Sequence, residues 1–167
     1  MAGARSIAVC SSLAKVRQCQ EIGAFEGITT MIPNYEERVN LITDNKGVDV
    51  IMDPILGSFF KNNIDCLAYD SRWVIYGSLG GLNIQNVNMG RLLNKRANIL
   101  SSTLRNRTDE YKTQLIRDFE RDILPAFETG QVKPIIDSIY PLSQASDALF
   151  RMKQNLNVGK IVLVNDL

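Results

Sequence analysis

The sequence predicts an α/β fold, a Rossmann-type doubly wound parallel sheet, on two observations. Short β-branched runs alternate with helical patterns from one end of the chain to the other. The run Val48-Asp49-Val50-Ile51-Met52-Asp53 is nearly continuously apolar, the pattern of a central parallel strand covered on both faces. No internal repeat, low-complexity tract or linker interrupts the alternation, so the 167 residues are expected to form one domain.

In order, Met1-Ala2-Gly3-Ala4 reads as a helix end with a glycine stop, followed by a strand from Arg5 to Val9. Ser11 and Ser12 offer cap oxygens to a helix whose apolar positions are Leu13, Val16, Cys19 and Ile22. Ile28 to Ile32 is a second strand closed by Pro33, and Tyr35 to Thr43 a second helix that stops at Asp44-Asn45-Lys46-Gly47. After the central strand, Phe59, Phe60, Ile64 and Leu67 form a helical face, and Trp73 to Tyr76 a buried strand that runs into Gly77-Ser78-Leu79-Gly80-Gly81. A helix over Met89 to Lys95 leads to a strand over Ala97 to Leu104. A long amphipathic helix then shows Tyr111, Leu115, Ile116, Phe119 and Ile123 on one side. Pro134 to Tyr140 is a strand, Ser143 caps a helix faced by Ala145, Ala148, Leu149 and Met152, and Lys160 to Val164 closes the pattern.

Composition narrows the function. With 45% hydrophobic and 22% charged residues and a formal charge of +1, the chain is globular and carries no basic stripe for nucleic acid. Its apolar runs are too short to span a bilayer and no signal-like segment opens it, so it is expected to be a cytoplasmic protein. Three cysteines, Cys10, Cys19 and Cys66, are read as core residues, and with no histidine neither a zinc site nor a His-based catalytic arrangement has its ligands. Catalytic and metal-ligating residues are therefore expected to be absent from this chain. Doubly wound sheets bind ligands at the carboxyl ends of their strands, which points to the residues just past Val9, Met52 and Tyr76.

A family resemblance enters through five strings taken in order. They are Gly47 to Asp53 with Gly57 and Cys66-Leu67-Ala68; Asp70 to Gly77; Leu92 to Arg96 with Thr103 to Arg107 and Tyr111-Lys112; Ile139 to Leu142; and Asn155 to Leu163. Together they resemble the zeta-crystallin-like NADPH quinone oxidoreductases, zinc-free medium-chain dehydrogenase/reductases, over essentially the whole chain. The resemblance implies a partial Rossmann NADP-binding domain over residues 1–167, without the first strand, the Gly-rich loop, most of the first helix and the N-terminal GroES-like catalytic domain.

The resemblance also implies a cofactor, NADPH, and a set of positions to hold it. Ser12 and Lys15 match the hydroxyl and cation that hold the 2′-phosphate, and no acid stands there to bind ribose hydroxyls instead. Thr30 stands where the family usually has a tyrosine beside the adenosine ribose. Ile55 belongs to the turn after the central strand, where Leu56 replaces a family glycine and Pro54 precedes it. Gly77, Ser78 and Leu79 match the backbone beside the nicotinamide, where a side chain at Gly77 would intrude on the cofactor. Asn155 matches a polar contact before the last strand.

The activity implied is hydride transfer from NADPH to a quinone or activated alkene, with a homodimer joined through the Ala97 to Leu104 edge strand. The alternative is a non-enzymatic shortened product that serves as a dimerisation or nucleotide-binding module. In the strand order 3-2-1-4-5-6, a chain that starts at the second strand lacks the middle of its sheet. Three outcomes are then expected: Ile7 to Cys10 closes against Val50 to Asp53, another chain fills the gap, or the first two strands separate from the rest.

Overall fold

The computed structural model describes residues 3–165, so the helix end expected at Met1-Ala2 falls outside the described residues. Two compact units emerge, one up to Arg107 and one from Thr108 onward.

The first unit contains β1 (Ile7–Cys10), α1 (Leu13–Glu21), β2 (Glu26–Thr29), α2 (Tyr35–Ile42), β3 (Val48–Asp53), α3 (Phe60–Cys66), β4 (Leu67–Ile75), α4 (Gly90–Lys95) and β5 (Asn98–Ser101). Every strand pairing is parallel, as the alternation predicts: β1 with β2, and β3 with β4 and β4 with β5. β2 starts and stops earlier than Ile28 to Ile32. The Phe25 and Glu26 N–H groups bond to the Ser6 carbonyl at 2.9 and 3.3 Å, and the Thr29 hydroxyl turns the chain by accepting from Met31 N at 3.2 Å.

The central-strand expectation needs correcting. β3 stands at the edge of its three-stranded sheet and β4 is the middle strand. Asp53 is 3% exposed whereas Val50 and Met52 are 44% and 61% exposed, so β3 is covered on one face only. β4 is also longer than Trp73 to Tyr76. Leu67 looks like the next step of the Phe60 and Ile64 helical face, yet α3 passes into β4 at Leu67 with no loop. A left-handed Asp70 (φ 59°) and a register shift between Val48 and Val50 then bring Arg72 to Ile75 into line.

Two apolar clusters hold the unit. Phe60, Ile64, Leu67, Trp73 and Leu92 form one, with the Phe60 and Trp73 rings 4.5 Å apart. Ile28, Tyr35, Val39 and Cys66 form the other, against Ile7 of β1 and Val48 and Ile51 of β3. Side chains from both sheets thus share a core, but among the described residues no ladder joins β1 to β3. Direct closure of Ile7 to Cys10 on Val50 to Asp53 does not occur.

The second unit contains α5 (Asp109–Asp122), α6 (Leu124–Glu128), β6 (Ile136–Pro141), α7 (Ala145–Lys153) and β7 (Lys160–Val164), with β6 and β7 parallel. Thr108 caps α5 by accepting from Tyr111 N at 3.3 Å. Ser143 is not the cap of α7: it belongs to a 3₁₀ turn over Leu142–Gln144 that leads directly into the helix. The unit is fastened by Asp137, whose carboxylate accepts two bonds from Arg151, at 2.7 and 3.0 Å, and one from Val158 N at 2.8 Å. The Arg151 guanidinium, then the Val158 N–H and the Ser138 hydroxyl, hold that carboxyl well below the usual carboxylate range.

Candidate functional site

Six expected positions gather at strand ends in two groups, both in the first unit, and Ile55 joins the second of them. The first group surrounds the turn after β1. Ser12 is extended (φ −151°, ψ 158°) and its Oγ accepts from Lys15 N at 3.4 Å, so it caps α1 as its position predicts. The Lys15 ammonium donates to Ser11 Oγ at 3.3 Å, and the first turn of α1 carries no acid. Thr30, just past β2, donates its N–H to the Cys10 carbonyl at 2.8 Å. One turn therefore collects Ser12, Lys15 and Thr30: hydroxyls and an ammonium at a helix N-terminus, a donor set suited to a phosphate.

The second group is the pair of loops after β3 and β4, and backbone hydrogen bonds zip them together. Leu79 N donates to Pro54 O at 3.1 Å, Gly80 N to Ile55 O at 2.7 Å, and Gly57 N to Gly81 O at 3.1 Å. Ile55, Gly77, Ser78 and Leu79 are thus neighbours. Glycine at 77 has a reason within the chain itself, because a Cβ there would fall 2.6 Å from the Pro54 carbonyl oxygen. The neighbouring backbone alone demands glycine. Opposite it, Leu56 adopts φ 61° and ψ −116°, a conformation that disfavours any side chain.

Beneath these loops lies a polar core that sequence reasoning did not assemble. Asp53 Oδ1 accepts from the N–H groups of Ile55 and Leu56, at 2.7 and 2.9 Å. Its Oδ2 accepts from Asn63 Nδ2 and Trp73 Nε1, both at 3.0 Å. Tyr35 extends the chain by donating its hydroxyl to Asn63 Oδ1 at 2.7 Å. Burial, then the nearby Cys66, Asp53 and Glu36, pushes the Tyr35 phenol far above its ordinary range, and burial, then Glu36, pushes the Cys66 thiol up to about 12. Both keep their protons at neutral pH, so Tyr35 remains a donor. The only sequence signal was the acid that ends an apolar strand before Pro54; the partners are 10 and 20 residues away from it.

Asn155 belongs to the second unit. Left-handed at φ 56°, it donates its N–H to Met152 O at 2.9 Å just after α7, the conformation of a helix C-terminal turn.

With the geometry in view, comparison with known proteins identifies the class. The family profile described as zinc-binding dehydrogenase matches residues 27–163, and the chain belongs to that family, among the medium-chain dehydrogenase/reductases. It is 27% identical over 163 residues to quinone oxidoreductase-like protein 2 of Bos taurus, covering 96% of this chain and 45% of that protein. It is 30% identical over 146 residues to a synaptic vesicle membrane protein VAT-1 homolog of Danio rerio, covering 80% of this chain and 30% of that one. A solved NAD-dependent alcohol dehydrogenase superposes with a TM-score of 0.82 at 26% identity, covering 98% of this chain and 45% of the other. The chain spans less than half the length of these relatives. The zinc of the family name finds no fit here: among the described residues no group of three or more His, Cys, Asp or Glu is placed to hold a metal ion.

Proposed function

We propose that this chain is the nucleotide-binding part of a cytoplasmic, zinc-independent NADPH quinone oxidoreductase. The observation that carries the reading is the turn after β1, where Ser11, Ser12 and Lys15 meet at the start of α1 and Cys10 stands in place of an acid. A carboxylate there would favour free ribose hydroxyls; an ammonium with hydroxyls favours a 2′-phosphate. Ser12, Lys15 and Thr30, with the turn that carries Ile55, would hold the adenosine side, and Gly77, Ser78 and Leu79 the nicotinamide side. When bound, the nicotinamide supplies the hydride for a quinone or enone, and the protein binds, orients and excludes water. Relatives named quinone oxidoreductase support the substrate class.

The partner in this reading is a second copy, joined along β5. Its outer edge carries no ladder among the described residues, and Ile99 and Leu100 are exposed on it. Beside it Met89, Leu93, Arg96 and Ile99 line an open groove of about 770 Å³. No helix among the described residues is long and apolar enough to cross a membrane.

Calorimetric titration of the chain with 2′-AMP and 5′-AMP tests the cofactor. The 2′-phosphate should bind more tightly, and Lys15→Ala should weaken it on the order of tenfold, the loss of one charged hydrogen bond. Equal affinity for the two nucleotides, or no effect of Lys15→Ala, would overturn the NADPH assignment. By itself the chain should oxidise NADPH with quinone no faster than buffer, because it has no Gly-rich turn for the pyrophosphate.

A further inference from the structure

We propose that Cys10 and Cys19 are a redox-active dithiol, which a peroxide converts into an intramolecular disulfide across the β1–α1 turn. Cys10 is the last residue of β1 and Cys19 lies near the end of α1, yet the strand-turn-helix path brings their sulfurs to 3.8 Å. None of the three cysteines is in a disulfide, and the third, Cys66, is buried in the Tyr35 and Val39 cluster on another helix. Sulfurs at 3.8 Å are in contact, and an S–S bond of about 2.05 Å needs an approach of the size that side-chain rotation supplies. Both residues are half-buried rather than enclosed, so a small oxidant reaches them.

The surroundings of Cys10 favour its protonated form. Burial first, then the hydrogen bond and charge of Cys19, raise its thiol to about 11, with Lys15 opposing them. One sulfur of the pair, as its thiolate, takes one oxygen of hydrogen peroxide, the O–O bond breaks, and the departing hydroxide leaves as water with a proton. The other sulfur then displaces hydroxide from that sulfenic acid, giving up its own proton to form the second water. Two thiols lose two electrons and two protons, and one peroxide becomes two waters. The bond ties α1 to the end of β1 and encloses Ser11, Ser12 and Lys15 between its two ends.

The test is a peroxide titration of the whole chain, with alkylation of remaining thiols, intact mass and a non-reducing tryptic map. Free thiols should fall from three to one. The peptides Ser6 to Lys15 and Gln18 to Arg38 should appear joined, and dithiothreitol should restore all the thiols. Cys66→Ser should form the same bond; Cys10→Ser and Cys19→Ser, with native circular dichroism, should form none. Disulfides that involve Cys66 or link two chains would overturn the proposal. So would sulfinic acid without a Cys10–Cys19 bond, or three thiols that persist in peroxide.

Discussion

The turns after β1 and after β3 occupy equivalent places, each leading from a parallel strand toward a helix, and they are held in opposite ways. The turn after β3 is fastened from below by a buried carboxylate with four donors and from beside by the loop after β4. The turn after β1 is held by a part-buried side-chain cap of 3.4 Å, an exposed lysine-to-serine bond of 3.3 Å and the bond from the Thr30 N–H to the Cys10 carbonyl at 2.8 Å. In the first, the polar groups are spent on the protein's own backbone. In the second, side-chain hydroxyls and an ammonium hold the turn.

The largest expected effect tests whether Asp53 is the fastening. Asp53→Ala strands the indole N–H of Trp73, which is fully buried, together with Asn63 and two backbone N–H groups. With about 1–3 kcal/mol for each buried donor left unpaired, and some recovered by water, a loss of about 3–5 kcal/mol is expected in urea unfolding. A loss below about 1 kcal/mol would mean that the zipped loops stand without the carboxylate, and the contrast between the two turns would collapse.

Asp137 in the second unit sharpens the point, because its main partner is a guanidinium rather than neutral donors. Asp137→Asn should cost about 2 kcal/mol at neutral pH. Its carboxyl is held below the ordinary value in the folded state, so its contribution is complete above about pH 4 and is lost as pH falls below that. The gap in urea midpoint between wild type and Asp137→Asn should therefore be constant from pH 7 to pH 5 and shrink by pH 3. A gap that is unchanged at pH 3 would remove Asp137 as the titrating group.

The same contrast explains what the sequence revealed. The alternation of strand and helix and the parallel pairing were legible, because periodicity reports which residues face a core. The Ser12 cap was legible for a similar reason, since it depends on neighbours three residues apart. The polar core was not. Asn63 and Trp73 look like an ordinary polar helix residue and an ordinary strand aromatic until folding aims both at Asp53. Nor was the Cys10–Cys19 contact, which depends on how a strand and helix pack across their turn. Nor was the crowding of Gly77 by the Pro54 backbone, which depends on how the loops after β3 and β4 meet.

Amide exchange separates the two halves of the first unit at a smaller scale. β1 and β2 form a sheet of two strands, whereas β4 is hydrogen bonded on both sides and carries the buried Trp73. Two-stranded pairs open more readily than a strand with neighbours on each side. The amides of Ala8 to Cys10 should exchange about tenfold faster than those of Trp73 to Ile75 under native conditions. Uniform protection across the two regions would show that the shared cluster of Ile7, Ile28, Val48 and Ile51 couples them into one cooperative block.

The smallest effect concerns Leu56, and its sign carries the information. Leu56 packs against the Phe60 and Trp73 cluster, so removing its side chain loses apolar contact. Its φ of 61° with ψ of −116° costs on the order of 1–3 kcal/mol for a residue with a Cβ, and glycine is spared that cost. Leu56→Ala loses the packing and keeps the strain. Leu56→Gly loses the same packing and relieves the strain, at the expense of about 0.5–1 kcal/mol of extra freedom in the unfolded chain. Elsewhere in a folded chain glycine is the less stable of the two. Here the order should reverse, with Leu56→Gly more stable than Leu56→Ala by about 1 kcal/mol in urea unfolding. If alanine proves the better residue, the loop is free to relax, and the turn after β3 is no more rigidly held than the turn after β1.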